Sequence, residues 1–235
     1  MLKAGLLAVH MASLTHATPA HAATTRAATA RAAPLHAATA PAAASSYTNL
    51  WANVRGVNYV PSYSRNPVEI WADYDAATVE RELSYARRLN LNAVRVFLHM
   101  FAWAWDPARF LASYDPFVGA CAARGIRPLV VLFDDDFFDV NVTTAAEAAA
   151  WVATRAYRDS DWMANPGMPL LGADFGSGFS LAGAFIDAVA GGARARDARL
   201  LGYDVMNEPG RAAPFAGGLA GFIDWAINRT AAASG

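Results

Sequence analysis

The chain has 235 residues, a formal charge of −1 and 55% apolar side chains. Near-neutral charge gives no electrostatic reason to expect nucleic acid or an acidic polymer as partner. A single cysteine, Cys121, excludes an internal disulfide and a cysteine-based metal cluster, and its helical surroundings read as core.

Residues 1–22 have the parts of a signal peptide: Lys3, an apolar centre AGLLAVHMASL, and the small-x-small site Ala20-His21-Ala22. This points to a secreted or extracytoplasmic protein. The leader is also free of acids, so an organelle transit peptide stays open as the alternative. The apolar run is short and broken by His10, so no membrane span is expected. Residues 23–46 are an Ala-rich linker with almost no large apolar side chains. Such a segment cannot offset the entropy of ordering and reads as disordered. Residues 47–235 are left to fold, fewer than the roughly 250 of a complete TIM barrel.

A strand–helix rhythm then begins. VRGVNYV (Val54 to Val60) is a strand, ended by Pro61. Asp75 is placed to cap a helix in which Val79, Leu83, Ala86 and Leu89 share one face. NAVRVFL (Asn92 to Leu98) is a second strand, rich in β-branched and aromatic residues. Asp106-Pro107 and Asp115-Pro116 each read as an N-cap followed by proline at the first helical position. The helix through Phe117, Val118 and Cys121 stops at Gly125. RPLVVLF (Arg127 to Phe133) is a third strand. A long excursion follows, then a helix from about Leu181 to Ala190, a fourth strand ARLLGYDVM, and a helix over 215–228. Strands apolar on both faces, alternating with helices, predict an α/β protein with a parallel sheet. No phosphate-loop or dinucleotide fingerprint follows the first strand, so no nucleotide cofactor is expected.

The fourth strand runs into Asn207-Glu208-Pro209. Function in parallel α/β folds sits at the carboxyl ends of strands. A carboxyl delivered there by a buried strand is a candidate general acid, because burial lets such a group keep its proton near neutrality. The plain alternative is a loop glutamate or a charge at a helix N-terminus, which Pro209 permits.

Four segments together resemble a known family: RGVNY (Arg55 to Tyr59), NAVRVF (Asn92 to Phe97), GIRPLVVLFD (Gly125 to Asp134) and YDVMNEP (Tyr203 to Pro209). They are similar to the cellulase-like retaining glycoside hydrolases of the large (β/α)8 clan that includes family 5. The likeness covers residues 54 to about 210 in the right order, and Asn-Glu-Pro closing the fourth strand is its most specific element. The resemblance implies a partial TIM barrel holding strands one to four, the N-terminal half of the domain. It also implies a retaining enzyme acting on β-linked oligo- or polysaccharide of glucan, mannan or xylan type. Glu208 would be the acid/base, and Asn207 would bond the sugar 2-hydroxyl. Arg95 would lie under the site, a place also open to a purely structural ion pair.

Asn58, Tyr59, His99, Trp103, Trp105 and Asp134 fall where the substrate cleft is expected. Sugar rings stack on aromatic planes and need polar partners at their edges. Tyr63, Phe101 and Trp162 belong to the same aromatic set, some of which must simply pack loops. His99 reads equally as a sugar contact or an ordinary loop histidine. The acids of DDDFFD (Asp134 to Asp139) have no calcium-loop spacing, so no metal is expected. Asp135, Asp136 and Asp139 read as solvated or capping.

A retaining glycosidase needs a second carboxyl about 5–5.5 Å from the first. The resemblance puts that nucleophile at the end of the seventh strand, beyond Gly235. Glu69, Glu80, Glu82 and Glu147 read as loop or helix-surface residues and cannot replace it. The expectation is a truncated chain lacking the nucleophile, inactive alone. The alternative is a noncatalytic sugar-binding protein, or a half-barrel that self-associates through its open edges. Asn141-Val142-Thr143 and Asn228-Arg229-Thr230 match the N-glycan motif.

Overall fold

The computed structural model describes residues 51–235. The leader of residues 1–22 and the linker of residues 23–46 lie outside the described residues. Four strands, β1 (Gly56–Asn58), β2 (Ala93–Phe97), β3 (Arg127–Asp134) and β4 (Gly202–Asn207), form one parallel sheet in the order β1-β2-β3-β4. Each strand therefore neighbours the next one in sequence, and each parallel step needs a crossover.

Helices supply the crossovers. Between β1 and β2 lie α1 (Pro67–Ala72) and α2 (Ala76–Arg88); between β2 and β3 lie α3 (Met100–Trp105) and α4 (Pro107–Ala122). The excursion from β3 to β4 contains α5 (Ala145–Ala153), α6 (Met168–Phe175) and α7 (Ser180–Ala190), and α8 (Gly218–Ser234) follows β4. The described residues are thus an α/β fold with a four-stranded parallel sheet and eight α-helices.

Local sequence explains several boundaries. Asp75 caps α2 by accepting from the amides of Ala77 and Thr78, and Asp106 caps α4 ahead of Pro107. Thr144 and Glu147 close a reciprocal capping box on α5. Other expectations fail. Asp115-Pro116 starts no helix: Pro116 lies inside α4, and Asp115 pairs with Arg194. Leu89 is the C-cap of α2 and is 65% exposed, while Val79, Leu83 and Ala86 are buried as the spacing requires. The last helix starts and ends later than 215–228.

Register decides what each strand presents. One row aligns Asn58, Arg95, Leu129 and Gly202; a second aligns Phe97, Val131 and Asp204; at the carboxyl end Asp134 pairs with Asn207. Residues one position out of step with the first two rows, including Val94, Val96, Val130 and Leu132, are buried in the core. Trp71, Phe110, Phe117 and Phe185 from the helices join them, each worth about 1.5–3 kcal/mol in buried apolar surface. The Trp71 indole donates to the Phe97 carbonyl at 2.8 Å, tying α1 to the end of β2. Cys121 is in this core, and burial pushes its thiol up to about 12.

Candidate functional site

The carboxyl ends of β2, β3 and β4 meet in a closed ring of five side chains. Arg95 Nη2 donates to Asn207 Oδ1 at 2.8 Å, and Asn207 Nδ2 donates to Asp134 Oδ1 at 2.8 Å. The Trp162 indole donates to the other oxygen of Asp134 at 2.9 Å. Trp162 stands edge-on to Phe97, with centroids 4.9 Å apart. The Arg95 guanidinium lies 4.8 Å from the Phe97 centroid, which closes the ring. Arg95 also donates through Nε to Asp204 Oδ2 at 2.9 Å.

This arrangement follows from the strands. Asp134 and Asn207 are register partners, so their side chains are neighbours. Arg95 and Asp204 lie in adjacent rows of the sheet, across β3 from one another. Burial pushes the Asp134 carboxyl above its ordinary range, while the hydrogen bonds from Asn207, Trp162 and the Asp136 amide pull the other way. The Arg95–Asp204 pair is the structural ion pair that the sequence left open, and the same guanidinium also holds Asn207.

Trp162 is delivered by the excursion, which folds back over the strand ends. Asn165 is 1% exposed and acts as its staple. Its Nδ2 donates to the carbonyls of Leu98 and Leu132, its Oδ1 accepts from the Met100 amide, and its backbone pairs twice with Asp134. His99 is the second fastening. It is completely buried; Nδ1 accepts from the Phe101 amide as the N-cap of α3, and Nε2 donates to the Ala164 carbonyl at 3.1 Å. A carbonyl only accepts, so the proton sits on Nε2 and the ring is neutral. Burial depresses its pKa to about 3. His99 therefore has no free edge for a sugar hydroxyl.

Glu208 follows Asn207 directly, but the expected burial is not met. Asn207, the last residue of β4, is buried, and Glu208 is exposed with φ at +44°. Its carboxylate makes no hydrogen bond or ion pair with another described residue. Asn58, at the end of β1, is exposed as a cleft residue should be.

Three expected substrate contacts lie elsewhere. Tyr59 is 3% exposed and its hydroxyl donates to Glu82 at 3.0 Å; burial, then the Glu82 charge, raises the phenol well above its ordinary range. Glu82 is accordingly buried, not on a helix surface. Trp103 and Trp105 pack half-buried against the core from α3, with Trp103 beside Phe185 and Trp105 under Arg109. Neither belongs to the ring.

The acids of DDDFFD are divided among partners. Asp134 is in the ring. Asp135 is buried, not solvated, and with Asp139 it grips Arg211. No group of three or more His, Cys, Asp or Glu is placed to hold a metal among the described residues. Reading the sequence missed the parts played by Phe97, Asn165 and Arg211. Arg211, the first cation after Asn-Glu-Pro, was the available signal.

Comparisons of the chain with protein-family models, with curated proteins and with solved structures found no match.

Proposed function

We propose that the carboxyl end of this sheet is a saccharide site derived from a retaining β-glycosidase, with Glu208 as its proton donor. The reading rests on one observation: an exposed, unengaged carboxylate next to a ring that combines an indole, an amide, a guanidinium and a carboxyl. A pyranose offers both apolar faces and hydroxyl edges, and this mixture suits both. Asn207 would meet the 2-hydroxyl beside the scissile bond, with Arg95 holding Asn207 from below. Asn58 and Asp134 would contribute at the edges. The four strands would be one half of a (β/α)8 barrel, and the leader would direct the protein out of the cytoplasm.

A second reading has its own support. Asp134, Asp135, Asp139 and Asp204 are all held by partners. None is free to attack an anomeric carbon, so a chain with this site alone binds sugar without cleaving it.

Calorimetric titration of the purified protein with cellohexaose, mannohexaose and xylohexaose tests the proposal. At least one should bind, and Glu208→Gln, which keeps the shape, should weaken it only modestly. No binding by any of the three rejects a saccharide site.

A further inference from the structure

The short loop bearing Glu208 is held at both ends by a single residue of the neighbouring loop. The Asp135 amide donates to the Asn207 carbonyl at 3.1 Å, on one side of Glu208-Pro209. The Asp135 carboxylate accepts from the amides of Gly210 at 2.9 Å and Arg211 at 2.8 Å, on the other side. Its side chain is fully shielded from solvent (0% exposed). Its second oxygen accepts from Arg211 Nε at 2.7 Å, so the buried charge is matched by a guanidinium and two amides. Asp139 buttresses the clamp: one oxygen takes Arg211 Nη1 at 2.7 Å and the other takes the Met168 amide at 3.0 Å.

Between these grips Glu208 has a left-handed φ of +44°. A non-glycine residue is strained there and stays only where its surroundings over-determine it. Pro209 also disfavours helical backbone in the residue before it. The local sequence would not choose this arch by itself; the clamp supplies what holds it. The result is a carboxylate turned into solvent next to the ring.

We infer that Asp135 is a positioning residue for Glu208, and that the Asp135–Arg211–Asp139 cluster sets where the proton donor points. The inference rests on the proposed role of Glu208, yet the geometry of the arch can be measured separately.

NMR of the full chain separates the two. In the wild type, the Gly210 and Arg211 amides should exchange slowly, and the Glu208 Cα and Cβ shifts should be those of left-handed backbone. Asp135→Ala should abolish both features while the amide shifts of β1 and β2 stay in place. Asp135→Asn, which keeps an acceptor oxygen and the backbone donor, should restore the left-handed shifts. The affinity for whichever hexasaccharide binds should fall about threefold to tenfold in Asp135→Ala, the scale of one ordinary hydrogen bond lost when the arch no longer presents the Glu208 side chain. Unchanged Glu208 shifts in Asp135→Ala, or fast exchange of both amides in the wild type, overturns the clamp. If Asp135→Ala does not fold, the wild-type exchange rates and shifts decide. A clamp confirmed by shifts in a protein that binds no hexasaccharide leaves the positioning intact and removes the saccharide reading.

Discussion

His99 gives a prediction whose size can be worked out. The imidazole is buried and neutral, with a pKa of about 3; in the unfolded chain it returns to about 6.5. The folded value is the depressed one, so unfolding takes up a proton at any pH between the two. The stability this residue protects is present in full above about pH 6.5 and is lost as pH falls toward about 3. The slope reaches about 1.4 kcal/mol per pH unit, so acidification from pH 7.5 to 5 costs about 2 kcal/mol through this one group. Asp134 acts with the opposite sign, since its raised carboxyl is relieved by protonation. A difference between two proteins cancels that contribution. His99→Asn keeps an N-cap acceptor for α3 and removes the titration. Urea unfolding of both proteins at pH 7.5, 6 and 5 is the assay. The wild type should be the more stable at pH 7.5, by about 1–3 kcal/mol for the lost bond to Ala164, and the gap should close by about 2 kcal/mol at pH 5. Parallel stability profiles would refute a buried neutral His99, and with it the fastening of the segment that carries Trp162.

Three further outcomes follow from particular residues. Gly167 has φ +88° and ψ 155°, and a Cβ there would come within 2.8 Å of Asp139 Oδ1; Gly167→Ala should cost about 3 kcal/mol, read by denaturant unfolding, and a neutral effect would mean that Asp139 does not receive the Met168 amide. Expressed through a glycosylating secretory route, the protein should carry glycan on Asn141, which lies exposed in a loop, and not on Asn228, whose motif is helical with Thr230 buried; peptide mass spectrometry distinguishes the sites, and occupancy at Asn228 alone contradicts the argument. Exported protein should begin near Ala23, and N-terminal sequencing that finds Met1 intact in the exported fraction rejects the leader as a signal peptide.

The strands and their order of appearance were legible because alternation of apolar runs with helical spacing is a local signal. Caps at Asp75 and Asp106 were legible for the same reason. Asp115-Pro116 misled because the same dipeptide fits inside a helix when the lost amide bond is tolerated and Asp115 finds Arg194. Tyr59, Trp103 and Trp105 were assigned to the cleft from their place after strands. Tyr59 is instead buried against Glu82, and Trp103 and Trp105 pack half-buried against the core beside Phe185 and Arg109; chain position does not report such contacts. Trp162 and Arg211 show the converse: Trp162 reaches the strand ends through an excursion whose path is set by Asn165 and His99, and Arg211, just past β4, is drawn in by Asp135. Glu208 was found by sequence, but its exposure was not, because the left-handed turn at its own backbone depends on a neighbour 73 positions away at Asp135.

The central claim is that saccharide is handled at the carboxyl ends of β2, β3 and β4. Mapping amide and indole shift changes during titration of the wild-type chain with the three hexasaccharides tests it most directly. The account predicts saturable changes concentrated on the Trp162 indole, the Arg95 and Asn207 side chains and the Glu208 backbone, with the far end of the sheet around Arg127 and Leu201 unmoved. Changes centred on that far end, or none at saturating sugar, would contradict it.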